Sequence, residues 1–577
     1  MSYQESYRRW LESDALTPDE RAELMSIQDD EKEIEDRFFS LMEFGTAGLR
    51  GTMGLGLRRM NLYTIRHATQ AFAQVILAEG PEAAKQGVAI CHDCRNHSRE
   101  FAEAAACVMA ANGIPVYLTE AMRPTPELSF AVREKGCIAG LNVTASHNPP
   151  EYNGYKVYWS DGAQLPPQHA AAIAAQMEVL DVFDGVKSTD YTEALHSGRI
   201  TLMGKELDEK YLKNVLSQMS EKESVAKVAD TFRMVYTPFH GTGYQQVPYV
   251  LKELGIKNLY CVEEQMVIDG DFPTVKSPNP ENPESFAMAV ELAKKVDADY
   301  ILGTDPDADR VAVQVKGPDG EYVQISGNQT GVLLLDYIIG AKKRAGTLPK
   351  DAIALKSLVT TNMAKKVAEG NGVPCYDTFT GFKFMAEKKN QIEAAGEGHV
   401  IFSYEESIGY MIGDYVRDKD AVTASLLLTE MTAWYAAKGM TLLDALDALY
   451  EKYGFHGERT VNLVMPGLEG MANMKAIMAN LRAKPLTEVA GTAVTLRRDY
   501  QDGSEIDVVS GKVTKMELAG SNVLRYGLAD GTEVIVRPSG TEPKIKVYVL
   551  ALGKDKADRD EKVEKYSAWA ETLKQLK

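Results

Sequence analysis

Short apolar runs typical of β-strands alternate with helical patterns over most of the chain. We predict strands over residues 88–93, 116–119, 138–143, 232–237, 258–262 and 300–304. We predict helices over residues 101–112, 284–296, 421–437, 442–452 and, as a final amphipathic helix, 556–576. This alternation is typical of α/β folds with parallel or mixed sheets. Because 577 residues exceed what one hydrophobic core can serve, the length predicts about four domains.

Changes in pattern along the chain predict where the domains lie. Residues 1–40 are charged and amphipathic, and we predict an N-terminal helical extension there. Three similar mixed-sheet α/β domains are expected over residues 41–205, 206–322 and 323–455. Short strands and the final helix then predict a smaller C-terminal α+β domain over residues 456–577.

Two helix starts carry capping signals. Asn282 is a candidate N-cap for the helix over 284–296, because Pro283 then occupies the first helical position. Thr441 and Asp444 have the spacing of a capping box, which predicts the start of the helix over 442–452.

Composition narrows the classes of function. Hydrophobic residues make up 45% of the chain and charged residues 25%, which is typical of a globular protein. The 64 basic and 82 acidic residues give a formal net charge of −18, which disfavours nucleic acid as a partner but not a small anionic substrate. With no long apolar run and no signal-peptide pattern, we expect a cytoplasmic protein without a membrane partner. The six cysteines are too few for a disulfide framework, and we interpret Cys91 and Cys94 as buried thiols.

The sequence TASHNPPEYNGYK, residues 144–156, places a serine in a loop of small residues behind a predicted strand. Most such serines cap a turn, but Ser146 is also suited to act as a nucleophile or a phosphoryl carrier. A Ser-His-Asp hydrolase is the rival, although no GxSxG elbow surrounds this serine. On extended backbone, adjacent side chains point apart, so we expect His147 to be a poor base for Ser146.

Three alternating carboxylates, Asp305, Asp307 and Asp309, follow the predicted strand over 300–304. On extended backbone all three would face the same way and repel one another unless a cation neutralised them. Oxygen ligands favour a hard ion such as Mg²⁺. The alternatives are an acidic solvated turn or a haloacid-dehalogenase nucleophile, and we favour the metal site.

Four further loops have compositions that suit sugar or phosphate binding. Residues 377–385 (DTFTGFKFM) and 402–414 (FSYEESIGYMIGD) are ordinary loops when each is considered alone. Residues 535–548 combine an arginine with serine, glycine and threonine, which is the composition of a phosphate-binding nest. Residues 43–61 are rich in glycine and carry Arg50, which fits a loop facing phosphate better than a dinucleotide fingerprint.

Together and in this order, the glycine-arginine loop, the serine loop, the triple aspartate, GFK, EES and RPSGT resemble the α-D-phosphohexomutase superfamily. FGTAGLRG and TASHNPPEYNGYK are most similar to its phosphoglucomutase branch, which also contains phosphopentomutases. The resemblance covers roughly residues 40–545. It implies three α/β domains of one shared fold and a smaller α+β domain around a central cleft.

The resemblance also implies roles for individual residues. Ser146 is similar to the serine that carries phosphate, and Asp305, Asp307 and Asp309 are similar to the ligands of one Mg²⁺ per chain, which the phosphorylated serine completes. The implied catalytic residues are Ser146, Lys156 as general acid/base, Arg50 beside the transferred phosphate, and His147. The implied substrate-binding residues are Arg310, Thr380, Gly381, Lys383, Glu405, Ser407, Arg537, Ser539, Gly540 and Thr541. The chain departs from the family where it has YEESIGY in place of the common GExSGH.

The activity that the resemblance implies is isomerisation of glucose 1-phosphate and glucose 6-phosphate. Glucose 1,6-bisphosphate would be both primer and intermediate, the partners would be small sugar phosphates, and the chain would be a monomer or a weak homodimer. Mannose or pentose phosphates on the same machinery, a catalytically silent sugar-phosphate binding protein, and a metal-dependent phosphatase are the alternatives.

Overall fold

The computed structural model describes residues 2–45, 48–465, 469–539 and 543–576. Its contacts divide the chain into two units, of which the first comprises residues 1–325 and 408–439 and the second residues 326–407 and 440–577. This division is coarser than the predicted domains, whose boundaries stay predictions.

The first unit begins with three short helices and then a mixed sheet. The helices are α1 (Tyr3–Leu11), α2 (Pro18–Ser26) and α3 (Glu31–Phe38). The elements that follow are β1 (Gly48–Thr52), α4 (Leu62–Ala78), α5 (Pro81–Lys85), β2 (Val88–His92), α6 (Ser98–Ala111), β3 (Val116–Thr119), α7 (Thr125–Lys135), β4 (Ala139–Val143), β5 (Tyr152–Trp159), α8 (Pro167–Val179), α9 (Tyr191–His196) and β6 (Ile200–Met203). The strand order is β1-β5-β4-β2-β3-β6, in which β5 runs antiparallel to both β1 and β4.

A second sheet completes this part of the first unit. Its elements are α10 (Lys205–Leu216), α11 (Lys222–Val228), β7 (Arg233–Thr237), α12 (Gly243–Leu254), β8 (Asn258–Cys261), α13 (Glu263–Met266), α14 (Ala287–Val296), β9 (Tyr300–Thr304), β10 (Val311–Lys316) and β11 (Tyr322–Ile325). The strand order is β11-β10-β9-β7-β8. Strand β9 is buried throughout, so its carboxyl end delivers the aspartate segment from the protein interior.

The second unit opens with a parallel sheet between helices. Its elements are α15 (Gly327–Ala345), β12 (Ala352–Ser357), α16 (Met363–Gly370), β13 (Cys375–Thr378), α17 (Phe382–Ala395) and β14 (His399–Glu405). Strand β12 pairs in parallel with both β13 and β14. The chain then returns to the first unit for β15 (Gly409–Ile412) and α18 (Ala421–Ala436), and α18 packs there against α10, α11 and α12.

The rest of the second unit is a mainly antiparallel sheet with helices. Its elements are α19 (Leu442–Tyr453), β16 (Phe455–Val464), α20 (Gly470–Ala483), β17 (Glu488–Val489), β18 (Thr492–Asp499), β19 (Ser504–Asp507), β20 (Val513–Lys515), β21 (Leu524–Leu528), β22 (Glu533–Pro538), β23 (Lys544–Gly553) and α21 (Lys556–Thr572). The strand order is β16-β23-β22-β21-β18-β19-β20.

All six predicted strands are present, each within one residue of its predicted ends. The predicted capping box of Thr441 and Asp444 is also present. Asn282 occupies the N-cap position and Pro283 is the first helical residue, as predicted, but the first turn of this helix is not α-helical. Residues Pro283–Phe286 form a 3₁₀ turn, in which the Ser285 N–H bonds the Asn282 carbonyl, and the α-helix begins only at Ala287. The Asn282 side chain makes no capping bond.

No helix among the described residues is both long enough and apolar enough to cross a membrane. The cysteines are free, and Cys91 is buried as predicted, whereas Cys94 is only partly buried.

Candidate active site

Ser146 lies in a loop behind the central strand β4. Its backbone φ is 53°, in the left-handed region that residues other than glycine rarely adopt. The Ser146 N–H donates to the Thr144 hydroxyl at 2.9 Å, and the residue is 3% exposed. Strained backbone of this kind persists only where the surroundings fix it, and it concentrates at functional sites.

One buried arginine fixes the backbone of the serine loop. The Arg95 guanidinium donates to the carbonyl oxygens of Pro149 and Tyr152 at 2.8 and 3.0 Å. It also donates to the carbonyl oxygen of Ser146 at 2.8 Å and to that of Asn148. Because a guanidinium presents five donors in one rigid plane, a single side chain holds four carbonyl groups of the loop.

Strand β5 approaches the serine loop closely at Gly154. The Thr144 N–H donates to the Gly154 carbonyl at 3.1 Å. A Cβ atom at Gly154 would lie 2.3 Å from the Thr144 carbonyl oxygen, so a side chain there would push strand and loop apart. The same strand carries Lys156 two residues further on.

The Ser146 hydroxyl has two polar neighbours. Its Oγ donates to Asp305 Oδ2 at 2.9 Å and lies 3.2 Å from His147 Nδ1. The expectation that His147 points away from Ser146 is therefore wrong. It assumed extended backbone, whereas the positive φ of Ser146 leaves both side chains on one side. Burial, and then the charges of Arg310 and Arg50, lower the pKa of His147 to about 2, so its imidazole is neutral.

The predicted aspartate cluster is present. Asp305, Asp307 and Asp309 are buried, and one oxygen of each lies within 4.8 Å of the others. The reason given for the cluster is wrong, because the segment is a turn between β9 and β10 and not extended backbone. Ala308 has a φ of 49°, and the N–H groups of Asp309 and Arg310 donate to Asp305 Oδ1 at 3.1 and 3.0 Å. The turn therefore wraps around the first carboxylate and directs the other two toward it.

Three buried carboxylates repel one another. Burial, and then the charges of Asp307 and Asp309, raise the pKa of Asp305 well above its usual value. Burial also favours the neutral form of Asp309, but neighbouring cations outweigh burial and lower the pKa of that group. The Oδ1 atoms of Asp307 and Asp309 are buried and accept no hydrogen bond from the described residues. Such oxygens suit a hard divalent cation, so these residues fit Mg²⁺.

Two buried lysines face the aspartates. Lys156 Nζ lies 2.6 Å from Asp307 Oδ2 and 3.2 Å from Asp309 Oδ2. Lys419 Nζ lies 3.2 Å from Asp309 Oδ2 and 3.0 Å from Asp418 Oδ1. Burial alone would lower the pKa of both lysines, but the carboxylates outweigh burial and raise both pKa values above the usual range. Both ammonium groups are therefore charged.

Two residues of this site were not predicted from the sequence. Lys419 belongs to RDKD, immediately before helix α18, whose Thr423 N–H is capped by Asp420. A lysine between two acidic residues in front of a capped helix is the signal that could have identified it. The Thr125 hydroxyl donates to Asp307 Oδ2 at 2.6 Å and accepts from Asn142 Nδ2 at 2.8 Å. Nothing in the sequence around Thr125 distinguishes it from a helix-start threonine.

Two predicted arginines border the serine loop and the aspartates. Arg50, in the middle of strand β1, donates from Nη1 to Asn148 Oδ1 at 3.1 Å. The Nε atom of Arg310 lies 3.9 Å from Asp309 Oδ1, and its Nη1 lies 3.5 Å from Glu281 Oε2. The first unit thus gathers every predicted catalytic and metal-binding residue around Ser146.

The predicted sugar-binding residues lie in the second unit. The Gly381 N–H donates to Glu405 Oε1, which joins two of the predicted loops. Lys383 lies in the first turn of helix α17, with Nζ 4.9 Å from the centroid of the Phe384 ring, and burial lowers its pKa. The buried Thr380 hydroxyl has no partner in the described part of the chain.

The structure describes the predicted phosphate loop in part. Arg537 lies on strand β22 and is half-buried, as is Ser539 just beyond it. Gly540 and Thr541 lie outside the described residues. Ser407, from the preceding domain of this unit, is half-buried and follows strand β14.

Four domains of one known family match the chain in order. Residues 41–181, 209–319 and 326–453 match alpha/beta/alpha domains I, II and III of phosphoglucomutase/phosphomannomutase, and residues 461–564 match its C-terminal domain. The chain belongs to the phosphoglucomutase/phosphomannomutase family. Membership confirms the superfamily that the motifs indicated, the fold class of three α/β domains with a smaller C-terminal domain, and an enzyme of the isomerase class.

Relatives match nearly the whole chain. A phosphoglucomutase of Staphylococcus aureus (strain MRSA252) is 35% identical over 535 residues, which cover 92% of this chain and 94% of the relative. A phosphoglucomutase of Staphylococcus epidermidis is 35% identical over 523 residues, which cover 90% of this chain and 92% of the relative.

Solved structures share the fold. A putative phosphomannomutase from Thermus thermophilus superposes with a TM-score of 0.67 and 22% identity, covering 93% of this chain and 99% of its own. The open form of pp63/parafusin, a phosphoglucomutase from Paramecium, superposes with a TM-score of 0.66 and 18% identity, covering 92% and 95%. At these identities the likeness concerns the fold alone.

Proposed function

We propose that this enzyme is a phosphoglucomutase that interconverts glucose 1-phosphate and glucose 6-phosphate through a phosphoserine and a glucose 1,6-bisphosphate intermediate. The observation that carries the proposal is the position of Ser146 Oγ, 2.9 Å from Asp305 Oδ2 at the edge of the three-aspartate cluster. Phosphoglucomutases 35% identical over most of the chain support the choice of glucose phosphates.

In this proposal the aspartate cluster is a binding site for one Mg²⁺ per chain. Asp305, Asp307 and Asp309 would hold the ion, and a phosphate oxygen on Ser146 would complete its ligands. When bound, the ion supplies positive charge that offsets the charge on the phosphoryl group in transfer. The Oδ1 atoms of Asp307 and Asp309, which accept no hydrogen bond within the described ranges, support this assignment.

The phosphoryl group moves between the serine and the sugar. In the first half of the cycle the bond between phosphorus and Ser146 Oγ breaks, and a bond forms between phosphorus and the 6-hydroxyl oxygen of glucose 1-phosphate. One proton must leave that hydroxyl and one must reach Ser146 Oγ. Because its carboxylate neighbours keep Lys156 protonated, we assign Lys156 the donation to the serine oxygen, after which its neutral amine takes the sugar proton. Neutral His147, 3.2 Å from Oγ, is placed to hydrogen-bond the serine oxygen as this happens.

Arg50 and Arg310 would contact the phosphate and substrate beside the serine loop, where fixed guanidinium groups stabilise developing charge. The sugar hydroxyls would be bound by Thr380, Gly381, Lys383, Glu405 and Ser407, and the phosphate that is not transferred by Arg537, Ser539, Gly540 and Thr541. The bisphosphate then presents its other phosphate to Ser146, the reverse transfer restores the phosphoserine, and glucose 6-phosphate leaves.

A panel of sugar phosphates tests the proposal. We expect turnover of glucose 1-phosphate well above that of mannose 1-phosphate or ribose 1-phosphate, with stimulation by a trace of glucose 1,6-bisphosphate. If the enzyme prefers mannose 1-phosphate or ribose 1-phosphate, the assignment of glucose phosphates as substrates is wrong. Steady release of free phosphate would instead indicate a phosphatase. The Ser146→Ala variant should lose turnover and the added mass of one phosphate. Wild-type rates in that variant would refute the mechanism.

A further inference from the structure

The N-terminal extension has a packed core of its own against the first domain. Trp10 is 1% exposed, and its ring contacts those of Phe38, Tyr63 and Phe183 at centroid distances of 5.2–5.7 Å. The family match begins only at residue 41, so this extension lies outside the matched domains. An extension packed this tightly acts as a part of the domain and not as a loose tail.

Side chains and backbone of the extension hydrogen-bond to the backbone of one loop, residues 53–60. Glu23 Oε1 accepts from the Leu55 N–H at 3.0 Å and from Arg37 Nη1 at 2.6 Å, and the same Nη1 donates to the Leu55 carbonyl at 3.2 Å. The Arg58 N–H donates to the Arg37 carbonyl at 2.9 Å. A Cβ atom at Gly56, whose φ is +128°, would lie 2.9 Å from that same carbonyl oxygen. The backbone of the loop therefore lies directly against Arg37.

This loop continues the strand that carries Arg50. Strand β1 has five residues and lies at the edge of its sheet, where β5 is its sheet neighbour. Beyond the strand, the Met60 N–H bonds the Thr52 carbonyl at 2.9 Å, so this loop folds back onto the end of β1. All five residues of β1 pair with β5, but an edge strand is supported on one side only. The loop is therefore a second support for the segment that carries Arg50, and it anchors that segment two residues beyond the arginine.

We infer that the N-terminal extension positions Arg50 for phosphoryl transfer, and that Arg37 and Glu23 are the positioning residues that transmit this control through residues 53–60. The inference rests on the proposed function, since it assigns Arg50 to the transferred phosphate. The Arg37 side chain is 14% exposed and contacts Glu23, Glu33 and the Leu55 carbonyl, so it links two acidic residues of the extension to the loop. Misplacement of a catalytic group by about 1 Å costs up to about 100-fold in rate.

The decisive experiment compares Arg37→Ala with Arg9→Ala in the full chain. Arg9 also ties the extension to the domain, through an ion pair with Asp181, but does not contact the loop. We expect Arg37→Ala to lower kcat on glucose 1-phosphate about tenfold or more with a smaller change in KM, and Arg9→Ala to change kcat less than about twofold. In an Arg50→Ala background, adding Arg37→Ala should lower kcat no further, because Arg37 acts through Arg50.

Hydrogen–deuterium exchange supplies a readout that does not depend on turnover. The amides of residues 53–60 should exchange faster in Arg37→Ala than in the wild type, and at the wild-type rate in Arg9→Ala. If Arg37→Ala does not fold, Glu23→Gln is the second variant. It keeps the shape of the side chain but removes the charge that binds both Arg37 and the Leu55 N–H, and we expect the same changes in kcat and in exchange. Wild-type kcat in a folded variant, additive losses with Arg50→Ala, or unchanged exchange would each overturn the inference. An unmodified chain that turns over no sugar phosphate would instead refute the proposed function, and unchanged exchange would still overturn the inference.

Discussion

Thr125 offers a sharp test of how the metal site is held. Its hydroxyl donates to Asp307 Oδ2 at 2.6 Å, and its backbone N–H donates to the Asp307 carbonyl at 2.8 Å. Thr125→Val keeps the shape and the backbone bond and removes only the hydroxyl. In the described structure, the Thr125 hydroxyl and Lys156 Nζ both donate to Asp307 Oδ2, which leaves Oδ1 available to a cation. The substitution removes the first of these two donors.

The size of the effect follows from the contacts. A hydrogen bond to a charged acceptor contributes about 1.5–3 kcal/mol, and loss of a residue that orients a metal ligand weakens metal binding about 10–100-fold. We therefore expect Thr125→Val to raise the Mg²⁺ concentration for half-maximal activity by about that factor, while kcat at saturating Mg²⁺ falls less. Titration of Mg²⁺ by calorimetry should show the same loss without reference to turnover.

A matched control separates orientation from packing. Thr69 is buried and bonds Ile65 and Tyr155 through its hydroxyl, so Thr69→Val removes a buried hydroxyl without contacting an aspartate. Both variants should lose stability of the order of 1–3 kcal/mol. If the two variants bind Mg²⁺ equally well, the threonine does not orient Asp307 and the reasoning fails.

Three further predictions probe other parts of the site and fold. Gly154→Ala should lower the melting temperature and remove nearly all turnover, because its Cβ would lie 2.3 Å from the Thr144 carbonyl; wild-type kcat would contradict the close approach. Lys419→Met should slow turnover but tighten Mg²⁺ binding, the opposite sign to Thr125→Val, because it removes a cation 3.2 Å from Asp309; calorimetry decides the sign. Burial lowers the pKa of His92 to about 4, below its value of about 6.5 in the unfolded chain. As the pH drops, the unfolded chain therefore binds a proton before the folded protein does, and the free energy of unfolding falls between about pH 6.5 and pH 4. His92→Gln should therefore show a smaller fall in melting temperature between pH 7 and pH 5, and an equal fall would show that other groups govern that range.

Local signals in the sequence predict the elements well, because strand runs and caps depend on neighbouring residues. Strands β3 and β9 coincide with their predicted ranges, and the Thr441 capping box is present. The geometry inside loops is different. Extended backbone is a fair assumption for alternating residues in a strand, but positive φ angles at Ser146 and Ala308 overturn it at the two places where the chemistry lies. These angles depend on distant partners such as Arg95, so no local pattern reveals them.

Thr125 and Lys419 could not be predicted as site residues because their partners lie far away along the chain. Thr125 meets Asp307 across 182 residues, and Lys419 meets Asp309 only because residues 408–439 return to the first unit. These partners set the charge of the site. Four aspartates, the three of the cluster and Asp418, lie near four cations, so their formal charges cancel before any ion binds; the cations are Lys156, Lys419, Arg310 and Arg50. A divalent cation alone would leave surplus positive charge in a buried site, and a phosphate on Ser146, with a charge near −2, would remove it. Mg²⁺ binding and phosphorylation of Ser146 are therefore expected to strengthen each other by the same free energy, since coupling between two binding events is reciprocal.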